Sequence, residues 1–168
     1  GFDVVATDRD ADALTGAAQG LRDQGLSLRT AVLDVQDRMA VSALFDTLGP
    51  IAVAVNNAGV SAPLLPFREL DRIALRKVLG VNLLGSFIVA QEAVRCMGPG
   101  GRVVQIASRG YLGGAGAAHY VASKAAVVGM VRAMAIELRW RGITVNAVAP
   151  GMVDTRMLDD FSPTTRQA

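Results

Sequence analysis

Tyr120 and Lys124 stand four residues apart in Tyr120-Val121-Ala122-Ser123-Lys124, and Ser108 lies 12 positions before the tyrosine. On a helix, a spacing of four stacks two side chains on one face and sets the ammonium beside the phenol. A fixed positive charge there favours phenolate and lowers a tyrosine pKa from its ordinary value of about 10. A phenol tuned in this way serves as a general acid or base near neutrality. A serine hydroxyl brought in from another element can hold a substrate carbonyl or alcohol oxygen beside it. The chemistry implied is proton movement at a carbon–oxygen bond. The Tyr/Lys pair alone would equally suit an ordinary helix-surface contact, so the weight falls on what else the chain brings to the same place.

Short apolar runs alternate with longer stretches of helical period. Strands are predicted at 2–7, 28–33, 51–55, 102–107 and 143–148; helices at 11–24 (capped by Asp10), 37–48, about 68–97 and 119–141. Strands separated by helices imply βαβ crossovers, hence an α/β fold: a doubly wound, mainly parallel Rossmann-type sheet in three αβα layers. Helix 119–141 carries small and apolar residues on more than one face (Ala125, Ala126, Val128, Ala133, Met134), so it is expected to be buried on both sides. Asp8, Asp34, Asn56-Asn57-Ala58-Gly59, Ser108 and Pro150-Gly151 each follow a predicted strand. In a parallel sheet those positions share the carboxyl edge, where doubly wound folds bind ligands.

An acidic residue at the position of Asp8 accepts hydrogen bonds from an adenosine ribose and repels a 2′-phosphate, although Arg9 beside it could answer such a phosphate. Asp34-Val35 can contact adenine by side chain and backbone. Asn56-Asn57-Ala58-Gly59 offers amide hydrogen bonds, then small residues where a ligand can approach the backbone closely. His119 is read as a polar surface or capping residue rather than a chemical one, and Trp140 as a packing or subunit-contact residue. Of the 17 basic residues 15 are arginines scattered along the chain, so no basic run points to nucleic acid. The low-charge stretch 78–90 is too short to span a bilayer, which argues against a membrane partner. Cys96 is the only cysteine; it is expected to be a small buried hydrophobe, and a cytoplasmic location fits.

Taken in order, Asp8, Asp34-Val35, Asn56-Asn57-Ala58-Gly59, Asn82 within Gly80-Val81-Asn82-Leu83-Leu84-Gly85, Ser108, Tyr120 with Lys124, and Pro150-Gly151-Met152-Val153-Asp154-Thr155 resemble the short-chain dehydrogenase/reductase family. The likeness covers essentially the whole chain and extends loosely to 3-oxoacyl-carrier-protein reductases and NAD-linked polyol or sugar dehydrogenases. It implies that Tyr120 is the acid/base, that Ser108 polarises the reacting oxygen, and that Lys124 tunes the tyrosine and holds the nicotinamide ribose. Asn82 would complete a proton relay through water at an interruption of the long helix. Pro150, Gly151, Val153 (through its backbone) and Thr155 would line the nicotinamide end. The rest of the cofactor site would come from Asp8, Arg9, Asp34, Val35, Asn56, Ala58 and Gly59.

The Asp8 carboxylate favours NAD over NADP; the resemblance implies a small-molecule alcohol or ketone substrate, no metal, and a homo-oligomer, a tetramer by family analogy. The family opens with a strand and a Thr-Gly-x-x-x-Gly-x-Gly turn that cradles the pyrophosphate on a helix N-terminus. That turn and the family's last strand are not in this sequence. The chain is therefore expected to be a single Rossmann-type domain, incomplete at both ends, with a strand wanting mid-sheet between those ending at Asp8 and Val55. An epimerase or dehydratase of the same superfamily shares Tyr-x-x-x-Lys, but Asn82 and the Asn-Asn-Ala-Gly block argue against it. A non-catalytic nucleotide-binding or scaffold protein on this fold would not need the intact Ser/Tyr/Lys/Asn set.

Overall fold

Three helices begin where an aspartate caps them. A computed structural model, which describes residues 1–153, has Asp10 accepting from the Ala13 N–H at 2.9 Å ahead of α1 (Ala11–Arg22). Asp37 accepts from Ala40 at 3.0 Å ahead of α2 (Arg38–Leu48), and Asp71 from Ala74 at 2.7 Å ahead of α3 (Arg72–Leu79). Each carboxylate satisfies an otherwise orphaned N–H and faces the positive end of the helix dipole, together worth about 1 kcal/mol.

The strands are β1 (Val5–Asp8), β2 (Arg29–Val32), β3 (Val53–Asn56), β4 (Arg102–Ile106) and β5 (Thr144–Val148). Every pairing is parallel: Val5 stands opposite Arg29, Val53 opposite Arg102, and Arg102 opposite Thr144. The fold is the expected three-layer α/β arrangement. The described strands form two sheets, in orders β1-β2 and β3-β4-β5, and the break falls between β1 and β3, where a mid-sheet strand is expected to be wanting. The free edges of β1 and β3 face each other across a cavity of about 380 Å³, wider than a single ladder of hydrogen bonds can bridge.

Helices join the two sheets. Leu33, Val41 and Phe45 from the β2–α2 side share one core with Ile88, Ala93, Met97, Val103, Val131, Ile143 and Val145. A polar clamp reinforces that seam. Glu92, only 8% exposed, accepts from Arg95 at 2.8 Å and from Ser42 at 3.4 Å, while Arg95 also reaches Asp46 at 2.6 Å.

The long helix expected over 68–97 is subdivided. A 3₁₀ turn at Phe67–Glu69 precedes α3, a π-helical segment occupies Gly80–Gly85, and α4 follows at Ser86–Cys96. By length and mean hydropathy (1.6) the run Arg72–Cys96 could cross a membrane, which the stretch 78–90 alone did not suggest. Here its Val78, Val81, Ile88, Ala90 and Ala93 are buried in the core, and it seats buried Asn82 and Glu92.

Helix α5 (Ala118–Leu138) departs from the expectation of burial on both sides. His119, Ser123, Lys124, Val127, Val131 and Leu138 point inward, whereas Ala122, Ala125, Gly129, Ala133 and Ile136 form an exposed stripe. A single copy of the chain covers only one side of this helix. Trp140, just beyond it, is 82% exposed.

Candidate active site

The carboxyl edge of β4 builds the centre of the site. The Ala107 N–H donates to Val148 and the Arg109 N–H to Pro150, both at 2.8 Å, so the ladder carries Pro150 alongside Ser108. Ser108 caps the short turn Arg109–Leu112, its Oγ accepting from the Gly110 N–H at 3.1 Å. The oxygen thus accepts locally and keeps its proton to donate. A Cβ on Gly110 would stand 3.2 Å from Ser108 Oγ and 3.4 Å from Tyr120 Cε1. The bare Gly110 therefore lies against both side chains, and the two residues that the sequence separates by a loop flank the same glycine.

Lys124 lies one helical turn beyond Tyr120, 4% exposed, with Nζ 5.8 Å from the Tyr120 ring centroid. The stacking read from the spacing is present, but the ammonium's hydrogen bond goes elsewhere. Nζ donates to the Ile106 carbonyl at 2.7 Å, which ties α5 to the end of β4. Burial pushes the Lys124 pKa below its usual value, because the charged form gives up water for that carbonyl.

Asn82 sits in the π-helical segment and is 1% exposed. Its Oδ1 accepts from the Val60 N–H at 2.8 Å, and its Nδ2 donates to the Val60 carbonyl and to Ser123 Oγ, both at 3.0 Å. A Cβ on Gly59 would stand 3.4 Å from Lys124 Nζ and 3.5 Å from Asn82 Oδ1, so the Asn-Asn-Ala-Gly segment ends against the same cluster. Sequence reasoning missed Val60, Ser123 and Gly110. Only Ser123 had a signal, since a serine inside a helix can bond back to the carbonyl three residues earlier. His119 is a correction: it is fully buried, and neither ring nitrogen has a partner among the described residues. A position in the first turn of α5 turned inward, toward Ser123 and Val127, overrides the preference of histidine for the surface.

Asp8, Arg9, Asp34, Val35, Asn56, Ala58 and Gly59 all line the cavity between β1 and β3. Asp8 is exposed and spends one oxygen on the Asp10 N–H at 3.0 Å, as Asp34 does on Gln36 at 2.9 Å. Asn56 also anchors its strand: its side-chain N–H donates to the Ser86 carbonyl at 2.9 Å, tying β3 to α4. Pro150 adjoins the Ser108 turn through the Arg109 N–H, Gly151 and Val153 follow it as exposed residues, and Thr155 lies outside the described residues. A strand-end carboxylate with apolar Val35 and Ala58 beside it fits the adenosine half of a dinucleotide. A glycine-rich turn opening a helix is not found among the described residues, so no pyrophosphate contact is assigned.

Gly85 closes this cavity from behind. A Cβ there would come within 2.5 Å of Val35 Cγ2 and 3.1 Å of Val35 Cβ. Gly85→Ala must therefore push the Val35 loop off α4, an overpacking cost of about 1–3 kcal/mol. The expected result is a lower denaturation midpoint together with weaker dinucleotide binding, both read by titration. Unchanged binding would detach Val35 from the cofactor.

The family described as short chain dehydrogenase matches residues 1–166. A dehydrogenase subunit from Thauera aromatica, named for (2S)-[(R)-hydroxy(phenyl)methyl]succinyl-CoA, is 39% identical over 99% of this chain and 69% of its own length. The 3-oxoacyl-[acyl-carrier-protein] reductase MabA of Mycobacterium tuberculosis is 40% identical over 94% of this chain and 62% of its own. The crystal structure of a gluconate 5-dehydrogenase from Burkholderia cenocepacia, in complex with NADP and tartrate, superposes with a TM-score of 0.86 at 31% identity, covering 94% of this chain and 64% of that one. The chain thus spans about two thirds of the length of these relatives.

Proposed function

Given that the chain belongs to the short-chain dehydrogenase family, we propose that the protein transfers a hydride between NAD(H) and a secondary alcohol or ketone. The observation that carries this reading is the cluster in which Gly110 lies against both Ser108 Oγ and the Tyr120 ring, with Lys124 Nζ beneath that ring. In the oxidative direction Tyr120 takes the hydroxyl proton while Ser108 donates a hydrogen bond to the same oxygen. Lys124 favours the deprotonated phenol by its charge and would hold a hydroxyl of the nicotinamide ribose. A bound nicotinamide supplies the hydride acceptor or donor; everything else is proton handling by these side chains. The widened turn at Asn82 takes a backbone carbonyl out of α-helical register, where it can hold water for a relay that replenishes the tyrosine.

NAD is preferred to NADP in this reading because of Asp8. At an effective dielectric near 20, unit charges about 4 Å apart repel by about 4 kcal/mol. Asp8 is exposed and adjoins Arg9, so solvent and that cation reduce the penalty; the expected preference is about tenfold or more. The likeness to an NADP-bound structure runs the other way, which makes the carboxylate the deciding feature. The test is kcat/KM for both cofactors with a panel of secondary alcohols, in the whole protein and in Asp8→Gly. Faster NADP turnover in the parent, or a ratio indifferent to the substitution, would overturn the preference; no hydride transfer at all would overturn the activity.

A homo-oligomer, with a tetramer as the family analogue, is part of the proposal. The uncovered stripe on α5 and exposed Trp140 support a second copy on that face. A cytoplasmic setting is supported by the lone Cys96.

A further inference from the structure

We propose that Ser123 is a positioning residue for the reaction, the fork through which Asn82 and its widened turn are held in register with the turn carrying Tyr120. The inference rests on the oxidoreductase reading above. A carboxamide has two N–H donors and one carbonyl acceptor. In Asn82 both donors are committed, to the Val60 carbonyl and to Ser123 Oγ at 3.0 Å each, and Oδ1 takes the Val60 N–H at 2.8 Å. With 1% exposure this side chain has no donor left for water or substrate. It acts as a bracket that pairs both backbone groups of Val60.

Ser123 is wholly buried and receives one arm of that bracket. Its own proton goes to the Tyr120 carbonyl at 2.7 Å. A continuous hydrogen-bonded path therefore runs from Val60 through Asn82 and Ser123 to the backbone of the acid/base residue. Rotating Asn82 would break three bonds at once and leave buried polar groups unpaired, so the bracket has one orientation. Without the Ser123 hydroxyl, one Asn82 N–H loses its acceptor in a site that excludes water. The carboxamide then gains freedom to turn, and the π-helical carbonyls lose their fixed distance from Tyr120 and Lys124. Ser123 touches neither substrate nor cofactor; it acts through Asn82.

The experiment compares kcat, KM and melting temperature in the whole protein for Ser123→Ala, Ser123→Cys and Ser123→Thr, alone and in an Asn82→Ala background. Alanine is expected to lower kcat about tenfold, the equivalent of one hydrogen bond, with KM for both substrates within about twofold. Cysteine, a weak donor of similar size, should do the same and covers the case in which alanine fails to fold. Threonine should restore turnover, because in a helix its hydroxyl keeps the bond to a carbonyl three or four residues back. In the Asn82→Ala background, loss of the Ser123 hydroxyl should cost less than about twofold more, since the two act as one unit. Parent-like kcat in both alanine and cysteine variants, fully multiplicative losses in the double variant, or a melting-temperature loss without a kcat loss would each overturn the assignment. A parent that transfers no hydride would bring down the proposed activity and this role with it, and it is recognised before any substitution is made.

Discussion

Tyr120→Phe in the whole protein lowers kcat by about a hundredfold to ten-thousandfold, the range of a general acid–base group, while cofactor affinity stays within about twofold. The substitution removes the phenol oxygen and keeps the ring that lies against Gly110 and above Lys124, so the local packing survives. The expected pairing, a large kcat loss with an unaltered dinucleotide titration, separates proton transfer from packing. Activity within about tenfold of the parent would reject the assignment of Tyr120 as acid/base.

Lys124→Met is expected to have an effect on turnover of comparable size, with the pH–rate profile for alcohol oxidation displaced to higher pH, because a positive charge near the phenol is lost. Its effect on stability should run the other way. Burial lowers the Lys124 pKa in the folded state, whereas the unfolded lysine holds its proton to about pH 10.4. Between those two values the unfolded chain binds more protons, so stability rises with pH through that window, and below it the burial penalty is felt in full. Methionine, of similar length and without charge, removes the penalty and forfeits the bond to the Ile106 carbonyl. The variant should melt no lower than the parent at neutral pH, and its relative advantage should shrink as pH climbs through the window. An unmoved pH–rate profile would refute the electrostatic role, and a melting temperature several degrees lower at neutral pH would refute the burial penalty.

What was legible in the sequence was the order of elements and the edge on which the chemistry collects. Asp10 and Asp37 announce their helices by local capping, and Asp8, Asp34, Gly59 and Ser108 follow strands whose apolar runs are short and well bounded. Local rules decide these features, so local reading recovers them. The contacts that make the site are of another kind. Asn82 meets Ser123 across 41 residues, and Lys124 meets the Ile106 carbonyl across 18. A backbone carbonyl has no residue type to betray it as a partner. His119 misled for the same reason: whether a polar side chain turns inward depends on the neighbouring layer, and composition does not report that. The break in the sheet, by contrast, was legible: the strand expected to be wanting lies between those ending at Asp8 and Val55, and the described strands part there.

The six-residue π segment, Gly80–Gly85, bears on which changes of chain length this protein can absorb. A π turn amounts to one residue more than an α-helix needs over the same rise, so α3 before it and α4 after it keep their phase only because the extra residue is bulged out. Deleting one residue there would let the helix close into a regular ladder with Glu92 still aimed at α2 and Val78 still in the core. An insertion or deletion early in α4 itself has no such outlet and would swing Glu92 and Arg95 away from Ser42 and Asp46 on α2. The framework can therefore shed the bulge while the site cannot, and length variation at Gly80–Gly85 would divide chains that keep the chemistry from chains that keep only the fold.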